Sequence, residues 1–172
     1  MKRRMIVSGF LMILGLALTG CATNTYVSVG PKWDALHNLE TPENTFDVSV
    51  KGDGKAAVGE ELAFKVKSEK QGRLWVVQVD PDDHRTVLFP NDMASDNRIP
   101  AGETVYIPPK GAGWTIEATE PAGRSVIAFI VTTGDLDLYD VMGPGGNTEK
   151  SLRLARKPDG WALDKLVVNI VK

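Results

Sequence analysis

A chain of 172 residues with 42% hydrophobic and 24% charged residues has enough apolar material for one core and too little for two. Its formal charge is -2, and no run of Lys or Arg occurs beyond the first four residues, so the electrostatic footprint of a nucleic-acid binder is missing from the sequence. Nucleic acid is excluded as an expected partner.

The N-terminus reads MKRRMIVSGFLMILGLALTGC: three basic residues (Lys2, Arg3, Arg4), then an apolar stretch from Met5 to Leu18. That stretch is shorter than the roughly 20 residues needed to span a bilayer, which predicts a signal peptide over 1–20. Its end, Leu18-Thr19-Gly20-Cys21, resembles the lipobox of bacterial lipoproteins, and Cys21 is the single cysteine of the chain, without a disulfide partner. The resemblance implies cleavage before Cys21, acylation of that residue and a membrane anchored through its acyl chains. Ala22 stands where an aspartate would signal inner-membrane retention, so the expected location is an outer-membrane lipid anchor facing the periplasm, with surface exposure as the alternative. Loss of Lys2, Arg3 and Arg4 would take the formal charge from -2 to -5.

Residues 21–44 are polar and aperiodic apart from one helical turn in WDALHNLE. They predict a lipidated N-terminus and tether, with Trp33 and Leu36 apolar enough to dock it on the domain. From 45 to 172 the chain alternates strand patterns with turn signals. TFDVSV places Phe46, Val48 and Val50 on one face, and a KGDGK turn follows. ELAFKVKS sends Leu62, Phe64 and Val66 inward and Ala63, Lys65 and Lys67 outward. RLWVVQV is apolar on both faces, as a central strand is. PDDH turns the chain into RTVLF, and further strands follow at ETVYIP, WTIEAT, RSVIAFIVT, SLRLA and ALDKLVVNIV. DLDLYDVM, residues 135–142, is the one predicted short helix in this region, and GPGGNTEK after it is loop. The pattern predicts one all-β domain, an antiparallel immunoglobulin-like β-sandwich of about 8 strands.

An ordered set of short motifs runs from Val58 to Thr133: Val58-Gly59-Glu60, Leu74-Trp75-Val76-Val77, Leu88-Phe89-Pro90-Asn91, Asp96-Asn97, Ala101-Gly102, Tyr106-Ile107-Pro108 and Pro121-Ala122-Gly123. The set resembles the bacterial domain of unknown function family 4384. The resemblance implies a binding or sensing module found in lipoproteins and beside catalytic domains, without catalytic residues of its own. PDDH departs from the tighter, glycine-containing turn of that family.

A Ser/His/Asp triad needs a histidine base, and the only histidines are His37, in the tether, and His84, in a turn. No G-x-S-x-G is present, two scattered histidines make a poor zinc set, and GPGGNTEKS lacks the G-K-[ST] ending of a phosphate loop. The chain is therefore read as a non-enzyme without a cofactor. Asp80, Asp82 and Asp83, and then Asn91, Asp92, Asp96 and Asn97, supply oxygen ligands for calcium but follow no EF-hand spacing, and Asx residues also open turns by bonding their own backbone. The loop residues Asn91, Asp92, Asp96 and Asn97 are instead the expected partner-binding tip. Tyr106, Trp114 and Trp161 are candidates for an exposed aromatic platform, and Trp75 is expected in the core. The leading functional expectation is a membrane-anchored binding or assembly module for another envelope protein, in a secretion or surface-assembly system. The alternative is a sensor for a glycan, a peptidoglycan fragment or calcium. The partner's identity and the oligomeric state are not written in the sequence.

Overall fold

The computed structural model describes residues 28–43, 45–143 and 160–172. In chain order these form α1 (Pro31–His37), β1 (Val48–Lys51), β2 (Lys55–Ala57), β3 (Glu61–Leu62), β4 (Phe64–Ser68), β5 (Gly72–Val79), β6 (Arg85–Phe89), β7 (Arg98–Ile99), β8 (Thr104–Ile107), β9 (Ile116–Glu117), β10 (Gly123–Thr132), α2 (Leu138–Met142) and β11 (Trp161–Val171). The lipobox with Cys21, the SLRLA strand and most of GPGGNTEK lie outside the described residues.

The architecture is the expected all-β sandwich. A three-stranded sheet, β1-β4-β8, packs on a larger sheet ordered β2-β11-β10-β5-β6, with β7 pairing β5. β3 and β9 pair separately. One pair departs from the antiparallel expectation: β2 runs parallel to β11, with Ala56 opposite Ile170. Alternation fixes which side chains enter the sandwich. Phe64 and Val66 are buried while Lys65 and Lys67 are exposed, which is the period-2 pattern read from ELAFKVKS. They meet Leu74, Val76, Phe129 and Val131 of the larger sheet, with Phe64 and Phe129 edge to face at 5.0 Å.

The larger sheet is covered on both sides, and this explains the unbroken apolar run of β10. Ile127, Phe129 and Val131 face the small sheet, whereas Val126, Ala128 and Ile130 face a second core built with Trp33 and Leu36 of α1, Val141 and Met142 of α2, and Trp161. Of the segment predicted to be tether, residues 28–43 therefore include a helix seated on the sheet, with Trp33 and Leu36 fully buried. The predicted helix in DLDLYDVM is present as α2, closed by a capping box in which Asp137 and Asp140 each accept from the other's backbone N–H.

α1 is held at both ends by side chains from the sheet region. Pro31 opens it, since its missing N–H is no loss in a first turn. The backbone N–H of Trp33 donates to Asp83 Oδ1 at 2.7 Å and that of Lys32 to Oδ2 at 3.3 Å. Lys165 Nζ donates to the carbonyls of His37 and Leu39 at the other end. A carboxylate at the N-terminus and an ammonium at the C-terminus both oppose the helix dipole. Burial pushes the Lys165 ammonium below its usual range, and Glu40 and Asp164 offset part of that shift.

Candidate functional site

A cleft of about 410 Å³ opens at one end of the sandwich, between β6 and the segment Trp114–Pro121. Its floor is the end of the inter-sheet core, with Leu62, Ile127, Val168 and Ile170. One wall is β6, the last strand of the larger sheet, so its outer edge has no strand partner among the described residues. Among its polar lining, Ser125 Oγ accepts from Gln78 Nε2 at 3.2 Å.

The rim combines apolar exposure with acidity. Val87 is 40% and Met93 68% exposed, two of the four large hydrophobic side chains that the described residues leave in solvent. Trp114 is half-buried and stacks on Phe89 with ring centroids 6.4 Å apart. Asp80, Glu117 and Glu120 line the opening, and no Lys, Arg or His does so among the described residues.

β6 owes its shape to Leu88-Phe89-Pro90-Asn91. Pairing with β5 slips between Val76 and Val77, which leaves Leu88 as a bulge residue. Asn91 Nδ2 donates to the Leu88 carbonyl at 2.9 Å, and Asn91 Oδ1 accepts from the N–H groups of Met93 and Ala94 at 3.0 and 2.9 Å. The asparagine thus closes the bulge and holds the turn that projects Met93. This is turn chemistry in the service of an exposed apolar tip.

The four predicted partner-binding residues do not act as one group. Asn91 lines the cleft with its polar atoms spent on the backbone, and Asp92 is exposed beside it. Asp96 turns to Arg98, whose Nε and Nη2 lie 2.8 and 2.6 Å from its carboxylate. That hydrogen-bonded guanidinium lowers the Asp96 carboxyl to about 2. Asn97 is buried, and its Nδ2 has no partner among the described residues.

The predicted aromatic platform is not assembled. Trp161 is 1% exposed and belongs to the core under the helices, where its ring completes the layer with Leu163 and Met142, so its candidacy is withdrawn. Tyr106 lies on the small sheet and Trp114 at the cleft. Trp75 is half-buried against the helix-side core and donates to Thr132 Oγ1 at 3.1 Å.

The calcium candidates are likewise spent on structure. Asp80 Oδ1 accepts from the N–H groups of Asp82 and His84 at 2.9 and 2.8 Å, Asp83 caps α1, and Asp82 points into solvent as an exposed turn residue. Among the described residues no three His, Cys, Asp or Glu side chains converge as metal ligands. His84 is exposed in the turn, 3.8 Å from Asp80, and His37 stacks on Trp33 at 4.8 Å.

Residues 55–135 match the family model described as a domain of unknown function, DUF4384. The match coincides with the motif set read between Val58 and Thr133 and supplies the sandwich with β2 to β10. No curated protein and no solved structure matches the chain significantly. Both walls of the cleft fall inside the DUF4384 segment, whereas β11, which contributes Val168 and Ile170 to its floor, falls outside it. Val87, Met93 and Glu117 were not among the sequence candidates; the signal that could have found them is Val87 and Leu88 side by side in a strand whose alternation should have placed one of them inward.

Proposed function

We propose that the chain is a non-enzymatic cell-envelope lipoprotein, anchored through acyl chains on Cys21, whose sandwich binds another envelope protein at the cleft beside β6. The observation that carries the reading is the exposure of Val87 on β6 and of Met93 in the turn after it, beside a strand edge unpaired among the described residues and above an apolar floor. An exposed edge is a template for a further strand, and an extended peptide laid on β6 would gain main-chain hydrogen bonds while alternate side chains entered the cleft. The acidic rim of Asp80, Glu117 and Glu120 favours a peptide with basic residues beside its apolar ones. The lipobox pattern and the DUF4384 match support an accessory role in envelope assembly or secretion over one in the cytoplasm.

Two measurements test this. Photo-crosslinking amino acids at positions 87 and 93 in living cells should yield one adduct, identified by mass spectrometry, that a Val87→Asp change weakens and that a crosslinker at the exposed Tyr139, on the helix side, does not give. Identical adducts from all three positions, or none, would defeat the cleft as a docking site. Intact mass of the membrane fraction should show a chain beginning at Cys21 with added acyl mass; an unmodified Cys21 would remove the anchor.

A further inference from the structure

The outer face of the small sheet carries a feature that only the strand register assembles. Antiparallel pairing places Lys51 opposite Lys65 and Lys65 opposite Tyr106, and in the next row Ser49, Lys67 and Thr104. Lys51, Lys65 and Lys67 are exposed, because their neighbours Val50, Phe64 and Val66 take the inward positions. Lys110 joins from the loop after β8, with its Nζ 4.1 Å from the centre of the Tyr106 ring, and Lys65 Nζ lies 5.9 Å from the same ring. Two cations therefore flank the Tyr106 ring, and Lys51 and Lys67 extend the same exposed face around Lys65. None of the four makes an ion pair among the described residues, in a chain whose formal charge is -2.

Like charges directly across a strand pair are destabilising. Neither Lys51 nor Lys65 forms an ion pair with a carboxylate among the described residues, so the face holds a cost that an anionic ligand would remove. We propose that this face binds an extended anionic glycan, specifically the carboxylate-bearing polymer of the cell wall, laid flat across β1, β4 and β8. The ammonium groups would meet carboxylates, and the Tyr106 ring would meet a sugar face.

Two other occupants fit less well. A protein interface needs a buried apolar anchor, and none of the exposed large hydrophobics Val58, Val87, Met93 and Tyr139 lies on these three strands. A bilayer surface is disfavoured by position, since the lysine face and α1 are on opposite sides of the molecule. Cys21 precedes Ser28 by seven residues, a reach of at most about 25 Å, so a membrane holding Cys21 lies nearer the helix side. The choice of polymer rests on the envelope placement proposed above; the requirement for negative charge does not.

The test uses the full mature chain and purified peptidoglycan sacculi, either native or with their carboxylates amidated. Co-sedimentation should occur with native sacculi, fall as salt is raised, and be lost on amidation. The exposed quadruple change of Lys51, Lys65, Lys67 and Lys110 to Gln should lower affinity roughly tenfold to a hundredfold, as four solvent-exposed charge contacts would. Its thermal transition should be unchanged or raised, and Tyr106→Ser should weaken retention without changing the salt response. Equal retention on native and amidated sacculi, which needs no variant to observe, would overturn the proposal. So would retention by phosphatidylglycerol vesicles or polyglutamate but not sacculi, pointing to a membrane or an acidic protein instead. Acylation of Cys21 and crosslinking at the cleft report on the envelope reading separately, so a failure here leaves that reading standing and is recognised as its own.

Discussion

Asp83 shows how much one side chain can do in this molecule. It sits in the left-handed region at φ 62°, a conformation that aspartate and asparagine tolerate better than most residues, and from there its carboxylate reaches two N–H groups of a helix fifty residues away. Gly30 makes the approach feasible, because a Cβ at that position would come within 2.5 Å of Asp83 Cγ. Lys165 performs the complementary task at the other end of α1. Asp83→Ala should therefore cost about 0.5–2 kcal/mol, the usual range for a lost N-cap, while Asp83→Asn, which keeps an acceptor and the left-handed preference, should cost less. Lys165→Met should cost about 1–3 kcal/mol by removing the donor that the carbonyls of His37 and Leu39 share. Urea unfolding of the three variants checks the order; an Asn variant as damaged as the Ala variant would mean that charge, rather than the cap hydrogen bond, holds the helix.

At the scale of elements, the strands of the small sheet and the long strands of the larger one could be read from the sequence pattern, whereas the short β2 and β7 fell in segments read as turn and loop. ELAFKVKS gave the inward and outward faces of β3 and β4 residue by residue, and the two-faced apolarity of RLWVVQV announced a central strand, while RSVIAFIVT was legible as a strand without its double cover. What covers the second side was harder to read. α1 has only seven residues, and the groups that cap it, Asp83 and Lys165, come from distant parts of the chain. The burial of Trp161 was hidden for the same reason, since its environment is made by helices that lack a long amphipathic period. The lysine face is invisible in sequence because Lys51 joins Lys65 and Lys67 only through the register of β1 and β4, and Lys110 reaches Tyr106 from the loop after β8. α1 is consequently expected to be part of the core in energetic terms. Trp33→Ala removes a fully buried indole that also donates to the Arg124 carbonyl at 3.0 Å, and should cost about 3–5 kcal/mol. A shift of less than about 1 kcal/mol in chemical denaturation would mean that the helix is only loosely applied to the sheet.

For the molecule as a whole, the boundary of the DUF4384 match and the boundary of the folded unit are different. Residues 55–135 contain β2 to β10 but omit β11, the strand that stands between β2 and β10 in the larger sheet. Without β11, all ten residues of β10 from Gly123 to Thr132 lose one ladder partner, and β2 loses the only one it has among the described residues. The same truncation removes β1 from the small sheet, and α1 and α2 from the apolar face formed by Val77, Val79, Val126, Ala128 and Ile130. Such a fragment would expose both a long unpaired edge and a contiguous apolar surface, each of which promotes association. A chain comprising 55–135 alone should therefore be aggregated or unfolded, whereas 28–172 should give a dispersed amide NMR spectrum and a single cooperative thermal transition. A well-dispersed spectrum from the 55–135 fragment would show that the matched segment closes its own core, and that the helices and β11 are additions to an independent domain.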